Sequence, residues 1–328
     1  MKLTGRTLAA SSLAALLLAG CSSATPSSDT PGSTIKVHDA ATLQDALDGA
    51  APGETIVLAD GSYEGTFTAS AIATADKPIV VRGSGAAVID AGNKGYGLHL
   101  ENSAFWRIEG LTIAGGEKGI VLDRTVHSVL SGLHITGTGT EAVHLRTESS
   151  DNTVTGLTID HTGLRKPFFG EGIYVGSATE NWCQYTSCKP DHSDRNRLVD
   201  NTFGNGITAQ NIDIKEGTTG GVIQGNHFSG VGSTESNAWL QVKGNDWRVV
   251  GNTGSVSPDA GFQVLTLVPG WGQRNTFEDN NLTGPARGYA IWVQDGAQDN
   301  VVGCSNVQRG FRAGMSNRDC SGSGPSAS

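Results

Sequence analysis

Positive charge is scarce in this chain: 23 lysines and arginines stand against 32 aspartates and glutamates, for a formal net charge of -9. A nucleic-acid partner asks for a basic surface, so that class is set aside. Aromatic residues make up only 6% of the chain, whereas glycine supplies 46 of 328 residues, which suits a chain of turns and short strands around a long, thin core. No apolar run reads as a membrane span, since the one from Leu8 to Leu18 is too short to cross comfortably. No cysteine pair has zinc-knuckle spacing and no histidine cluster flanks one, which leaves a zinc site as the weaker reading of the five cysteines.

What the chain does have is a repeat. A unit of about twenty-two residues returns along it: Gly97–Glu101 with Trp106–Gly110, Gly119–Asp123 with Val129–Gly132, Ala142–Arg146 with Thr153–Gly156, Asn211–Lys215 with Val222–Asn226, and Trp239–Lys243 with Val249–Asn252. Each holds a short alternating strand, a turn and a second short strand. This is the pattern of a parallel β-helix, an all-β single-domain solenoid. Gly110, Gly132, Gly156, Asn201, Asn226, Asn252 and Asn280 read as equivalent turn positions, where both residue types tolerate a left-handed backbone and asparagine can form a ladder along the stack. The interval from Gly156 to Asn201 is 45 residues against 22 to 28 elsewhere, so an insertion is expected there.

The ends read differently. Lys2 and Arg6 precede the apolar run, and Leu18–Cys21 resembles a bacterial lipobox, by which resemblance Cys21 is lipidated and becomes the mature N-terminus. A plain secretory signal is the alternative. Residues 1–20 are thus a signal peptide, 21–33 a Ser/Thr/Pro-rich tether, 34–320 the β-helix and 321–328 a disordered tail. Either leader places the protein outside the cytoplasm, lipid-anchored or secreted, as a monomer of formal charge -11 once Lys2 and Arg6 are removed. There the remaining cysteines pair as disulfides, and of the three connectivities open to four cysteines the local one, Cys183 with Cys188 and Cys304 with Cys320, closes the shortest loops. Thr42–Asp45 is expected to open a short amphipathic helix that caps the first coil, with Leu43, Ala46, Leu47 and Ala50 on one face.

The segment after that helix, Ala51–Gly65 followed by Lys77–Gly83, resembles the opening of β-helix polysaccharide lyases of the alginate lyase and chondroitinase B family (family six), and is also similar to the pectate-lyase-like family nine. The resemblance implies a right-handed parallel β-helix. It also implies β-elimination by a lysine base on a strand, beside calcium held by acidic residues.

Strand alternation leaves two outward columns: His99, Val121, His144, Tyr174, Asp213, Gln241, Gln263 and Trp292, then Glu101, Asp123, Arg146, Gly176, Lys215, Lys243, Leu265 and Gln294. Arg146, Lys215 and Lys243 form a basic strip on an acidic protein. Beside it the segment from Gly176 to Arg195 brings Trp182, Tyr185, Lys189, Asp191 and His192 around the Cys183/Cys188 loop, a candidate wall for a sugar groove. Cleaving a uronate chain by elimination requires a base for the proton alpha to the carboxylate and a cation or metal for the enolate. Lys215 is the expected base, its pKa lowered by Lys243, with Arg146 assisting; His144, Tyr174, Trp182 and Trp239 are expected to meet the substrate. Asp213, Glu216 and Glu171 are the candidate calcium ligands, though the paired acids of family six and the multi-aspartate cluster of family nine are not plainly matched, and Lys243 stands where an arginine is expected. The partner implied is an acidic polysaccharide. Two other readings stay open. A glycoside hydrolase would pair Asp213 with Glu171 or Glu216, although no adjacent Asp-Asp near a Gly-His-Gly occurs. A non-catalytic carbohydrate-binding surface protein would stack sugars on Trp182, Trp239, Trp271 and Trp292.

Overall fold

The computed structural model describes residues 32–322. Cys21, the signal segment, most of the tether and residues 323–328 lie outside the described residues. The chain winds as an all-parallel β-solenoid of about 11 turns, whose short strands stack into sheets of 11, 10 and 10 strands. The strands form because each turn repeats the same alternation, so equivalent side chains fall in file. In the first sheet the register aligns Ile56, Val81, Ile108, Leu130, Val154, Leu198, Ile223, Val249, Phe277 and Val302, all buried. Such a file is a continuous apolar core that no single coil could bury alone.

The helix that caps the first coil runs Ala40–Asp48 and buries Leu43, Ala46 and Leu47. Its start lies earlier than expected. Asp39 is the N-cap and Thr42 closes the capping box with it, because the Asp39 carboxylate accepts from the Thr42 N–H at 2.8 Å.

The asparagine ladder exists, but one place along from the glycines. Gly110, Gly132 and Gly156 have positive φ, and their counterparts in later coils are Asp200, Gly225, Gly251 and Asp279. Asn201, Asn226, Asn252 and Asn280 follow those turn residues and occupy the places of Leu111, Leu133 and Leu157. There each buried asparagine accepts from the backbone N–H of the coil before it, as Asn252 Oδ1 does from Asn226 at 2.9 Å, and donates to the next rung, Asn280 Oδ1, at 2.9 Å. The ladder continues to Asn306. Its purpose is to satisfy buried backbone donors at a turn that water does not reach.

Both disulfides form as expected, Cys183–Cys188 and Cys304–Cys320. The long interval contains two excursions rather than one. Leu164–Gly170 folds back onto the preceding coil, with the N–H groups of Leu164, Arg165 and Lys166 donating to the carbonyls of Thr138 and Gly139 at 3.0–3.1 Å. The second excursion follows Gly176 and is moored by buried Asp191, which accepts from the Thr147 and Glu148 N–H groups at 2.9 Å. Asp191 is therefore a structural clamp and not part of a sugar-facing wall.

Candidate active site

The two excursions stand on either side of one sheet and enclose a cavity of about 290 Å³ over the strands Lys118–Asp123, Val143–Arg146, Ile173–Val175 and Ile212–Ile214. The strand register brings His144, Tyr174 and Asp213 side by side in successive coils, as the outward column required. These positions face away from the core yet are covered by the walls: His144 is 6% exposed and Asp213 2%. Burial in a polar cavity makes each charge there depend on its neighbours.

Asp213 is the hub. Its Oδ2 lies 2.9 Å from Lys215 Nζ, and its Oδ1 accepts from Lys243 Nζ. Lys215 also lies over the Tyr174 ring, 4.8 Å from its centroid. The lowering expected for Lys215 falls on Lys243 instead. Burial pushes Lys243 down to about 8, against the pull of Asp213 and with the help of the Lys215 ammonium. Burial also works to lower Lys215, but Asp213 and Tyr174 outweigh it and raise the lysine well above its usual value. Only Lys215 of the two lines the cavity. Lys243 acts from behind it, through the shared carboxylate.

Tyr174 stacks at a tilt on His144, ring centroids 4.5 Å apart, and burial holds its hydroxyl well above the usual phenol range. It is consequently a proton donor at rest. Burial holds His144 neutral-leaning, below its ordinary value; its Nε2 meets the Gly176 carbonyl at 3.0 Å and its Nδ1 faces Glu141 Oε1 at 3.4 Å. Glu141 is engaged by Lys118 as well. Glu171 is the odd member. It is 4% exposed, lines the cavity, and its Oε2 has no hydrogen-bond partner. Burial, followed by the negative charges of Glu141 and Asp213, pushes it up to about 8. Near neutral pH it is a carboxylic acid with a proton to offer.

Arg146 reaches the cavity already engaged. Its Nε and Nη2 grip Asp123 at 2.8 and 3.0 Å, and its guanidinium lies 4.5 Å from the Tyr185 ring centroid and 5.6 Å from that of Tyr96. The plane is thereby fixed as a charged floor at one end.

Several expected residues sit elsewhere. Trp239 is 1% exposed and packs in the core against Phe228, Phe262 and Phe311. Trp182 is 8% exposed, with its Nε1–H donated to the Ser177 carbonyl, so it braces the disulfide loop from within. Tyr185 provides that wall's aromatic surface, while Phe168 and Phe169 provide the opposite one. The repeat places the insertion only after Gly176 and so passes over the two phenylalanines, for which the Pro-Phe-Phe run in the 45-residue gap is the signal.

The calcium set does not assemble as expected. Among the described residues no group of three His, Cys, Asp or Glu side chains converges on a metal position. Asp213 is occupied by two lysines, Glu216 Oε1 accepts from the Thr179 N–H and hydroxyl at 2.9 and 2.7 Å, and Glu171 favours its proton. Hard cations need several free oxygens, and this donor set does not offer them.

A parallel β-helix with a walled cavity of paired acids and bases on one sheet defines the class, and comparison with known proteins places the chain within it. A family model described as a right handed beta helix region matches residues 55–193. No curated protein sequence matches. Among solved structures, the alginate lyase from Paenibacillus sp. str. FPU-7 shares 36% identity, with 86% of this chain covering 97% of that one at a TM-score of 0.81. Pectate lyase Pel9A matches at 15% identity over 90% of this chain and 82% of its own, TM-score 0.69, and a GH136 lacto-N-biosidase from Eubacterium ramulus at 12% over 84% and 60%, TM-score 0.61. The latter two likenesses concern the fold alone. The chain belongs to the right-handed parallel β-helix polysaccharide lyase-like family that includes the Paenibacillus enzyme.

Proposed function

We propose that the protein is an extracytoplasmic polysaccharide lyase that cleaves a uronate polymer by β-elimination, with alginate as the first polymer to test. The observation that carries the reading is the Tyr174–Lys215–Asp213–Lys243 chain beside a cavity that also holds the protonated acid Glu171. Because Asp213 accepts from both lysines, the proton they lose near pH 8 belongs to the pair, and a free amine can be presented at Lys215. That amine takes the proton on the carbon alpha to the uronate carboxylate. The released electron pair forms the new carbon–carbon double bond as the bond to the glycosidic oxygen breaks, and Tyr174 gives its hydroxyl proton to that leaving oxygen. No water is consumed.

The enolate needs stabilisation while it lasts. Glu171 supplies it by donating its unpartnered O–H to the substrate carboxylate, with Lys118 and Arg146 adding positive charge around the cavity. No step is routed through a metal, and calcium remains to be tested by chelation.

The test is ultraviolet absorbance of unsaturated ends on a panel of polyuronates, with calcium or chelator, for the wild type and Lys215→Ala. Absorbance should rise with one polymer in either medium and vanish in the variant, whose circular dichroism stays intact. New reducing ends without absorbance would move the reaction to hydrolysis, with Glu171 as its acid. Polymer retained but never shortened would leave a binding protein.

A further inference from the structure

A second cleft, of about 280 Å³, opens beside the first and shares Glu117, Thr140 and Lys166 with it. Its own lining brings Lys94 and Arg165, and the acid it contains, Glu117, lies 3.7 Å from Lys166. Among the described residues neither Lys94 nor Arg165 forms a salt bridge. Two uncompensated cations in one cleft are unusual on a chain whose formal net charge is -9.

Arg165 is also placed rather than loosely exposed. Its guanidinium lies against Gly139, where an added Cβ would collide with its Nε, so the coil leaves out a side chain at the point where the arginine rests. The loop that bears it is fastened to the same coil by the three backbone hydrogen bonds to Thr138 and Gly139. Its far end holds Phe168 and Phe169, edge to face with centroids 5.3 Å apart and 67% and 50% exposed, at the rim of the first cavity. Apolar ring faces beside a placed guanidinium and neighbouring lysines match a hexuronate, which has an apolar C–H face and a carboxylate on every ring. Each cleft falls below the roughly 300–1,000 Å³ of a drug-sized site, which leaves room for a single sugar unit.

We infer that the Lys94–Arg165–Lys166 cleft is a second uronate subsite, holding the residue next to the one that reacts in the first cavity. The inference rests on the lyase reading and adds to it: the polymer is held on at least one further carboxylate, away from the reacting bond, on the Leu164–Gly170 side. A solvated cation cluster would attract any polyanion weakly and regardless of length. A subsite instead makes affinity depend on chain length.

The experiment uses the full chain carrying Lys215→Ala, which holds substrate without turning it over, and saturated oligoalginates of defined length in a calorimeter. Adding Lys94→Ala and Arg165→Ala should weaken binding of the longer oligomers about tenfold and flatten its salt dependence, while a single uronate binds as before. Circular dichroism verifies that these exposed substitutions leave the fold intact. Unaltered affinity for the longer oligomers in the double substitution overturns the subsite alone. Equal weakening at every length also overturns it, in favour of general attraction. If the protein with both cations intact binds no uronate oligomer, the lyase reading falls and takes the subsite with it.

Discussion

Replacing Lys243 by methionine probes the proton chemistry without touching any group that lines the cavity. Lys243 and Lys215 engage opposite oxygens of Asp213; Asp213 and Lys243 are buried, and Lys215 is partly buried. Two ammonium groups against one carboxylate leave an uncompensated positive charge, which burial makes costly. The pair therefore gives up a proton at about 8, and the amine so formed is the base of the proposed elimination. Methionine keeps the bulk and removes the charge. Lys215 then faces Asp213 alone, and the local charge is zero only while the lysine stays protonated. Unit charges about 4.8 Å apart, the separation of neighbouring strands, repel by about 3.5 kcal/mol at an effective dielectric of about 20, equivalent to about 2.5 pH units.

The ascending limb of kcat/KM should accordingly move from about pH 8 to above about pH 10, lowering the rate at pH 8 by about 100-fold. Glu171 complicates the profile, since it loses its proton in the same range and imposes a descending limb. The measurement is therefore made in a Glu171→Gln background, where a neutral donor persists at every pH and the ascending limb stands alone. Absorbance assays from pH 6 to pH 11 on the polymer the wild type cleaves give both profiles. An ascending limb that stays in place after Lys243→Met refutes the shared-proton argument and assigns the limb to another group.

Two further outcomes follow from buried polar groups. Glu171 binds its proton more tightly when folded, so its contribution to stability is full below its unfolded pKa of 4.5 and is lost as pH rises through about 8; Glu171→Gln should leave the melting temperature near that of the wild type at pH 5 and raise stability by about 3–5 kcal/mol at pH 9. Asn252→Leu installs the residue that earlier coils carry at this place, yet it strands the buried N–H of Asn226, and urea unfolding should show a loss of about 2–4 kcal/mol.

The solenoid was legible because its signal is redundant. Every coil repeats the same alternation, so the column His99, Val121, His144, Tyr174, Asp213 could be written from sequence and matches the register residue for residue. Where the readings slipped, a single local feature had to decide. By residue type Asn201 aligns with Gly156, although the positive-φ place belongs to Asp200 and Asn201 lies over Leu157. Trp239 and Trp182 were read by chemistry as sugar platforms, but a large aromatic surface gains more from the core than from water. The electrostatics were least legible. The sequence pairs Lys215 with Lys243 as the group that lowers it and gives Asp213 and Glu216 to a calcium ion, whereas the outcome depends on a carboxylate oxygen that each lysine can claim, with Lys243 a full coil away in space and 28 residues on in sequence. Sequence proximity ranks Glu216 as the nearest acid to Lys215, whereas the fold sends Glu216 to Thr179 and brings Glu171 into the cavity from the preceding coil. Columns can be read from a repeat; which member of a column holds the proton is set by what the walls exclude, and the walls are made of the segments that do not repeat.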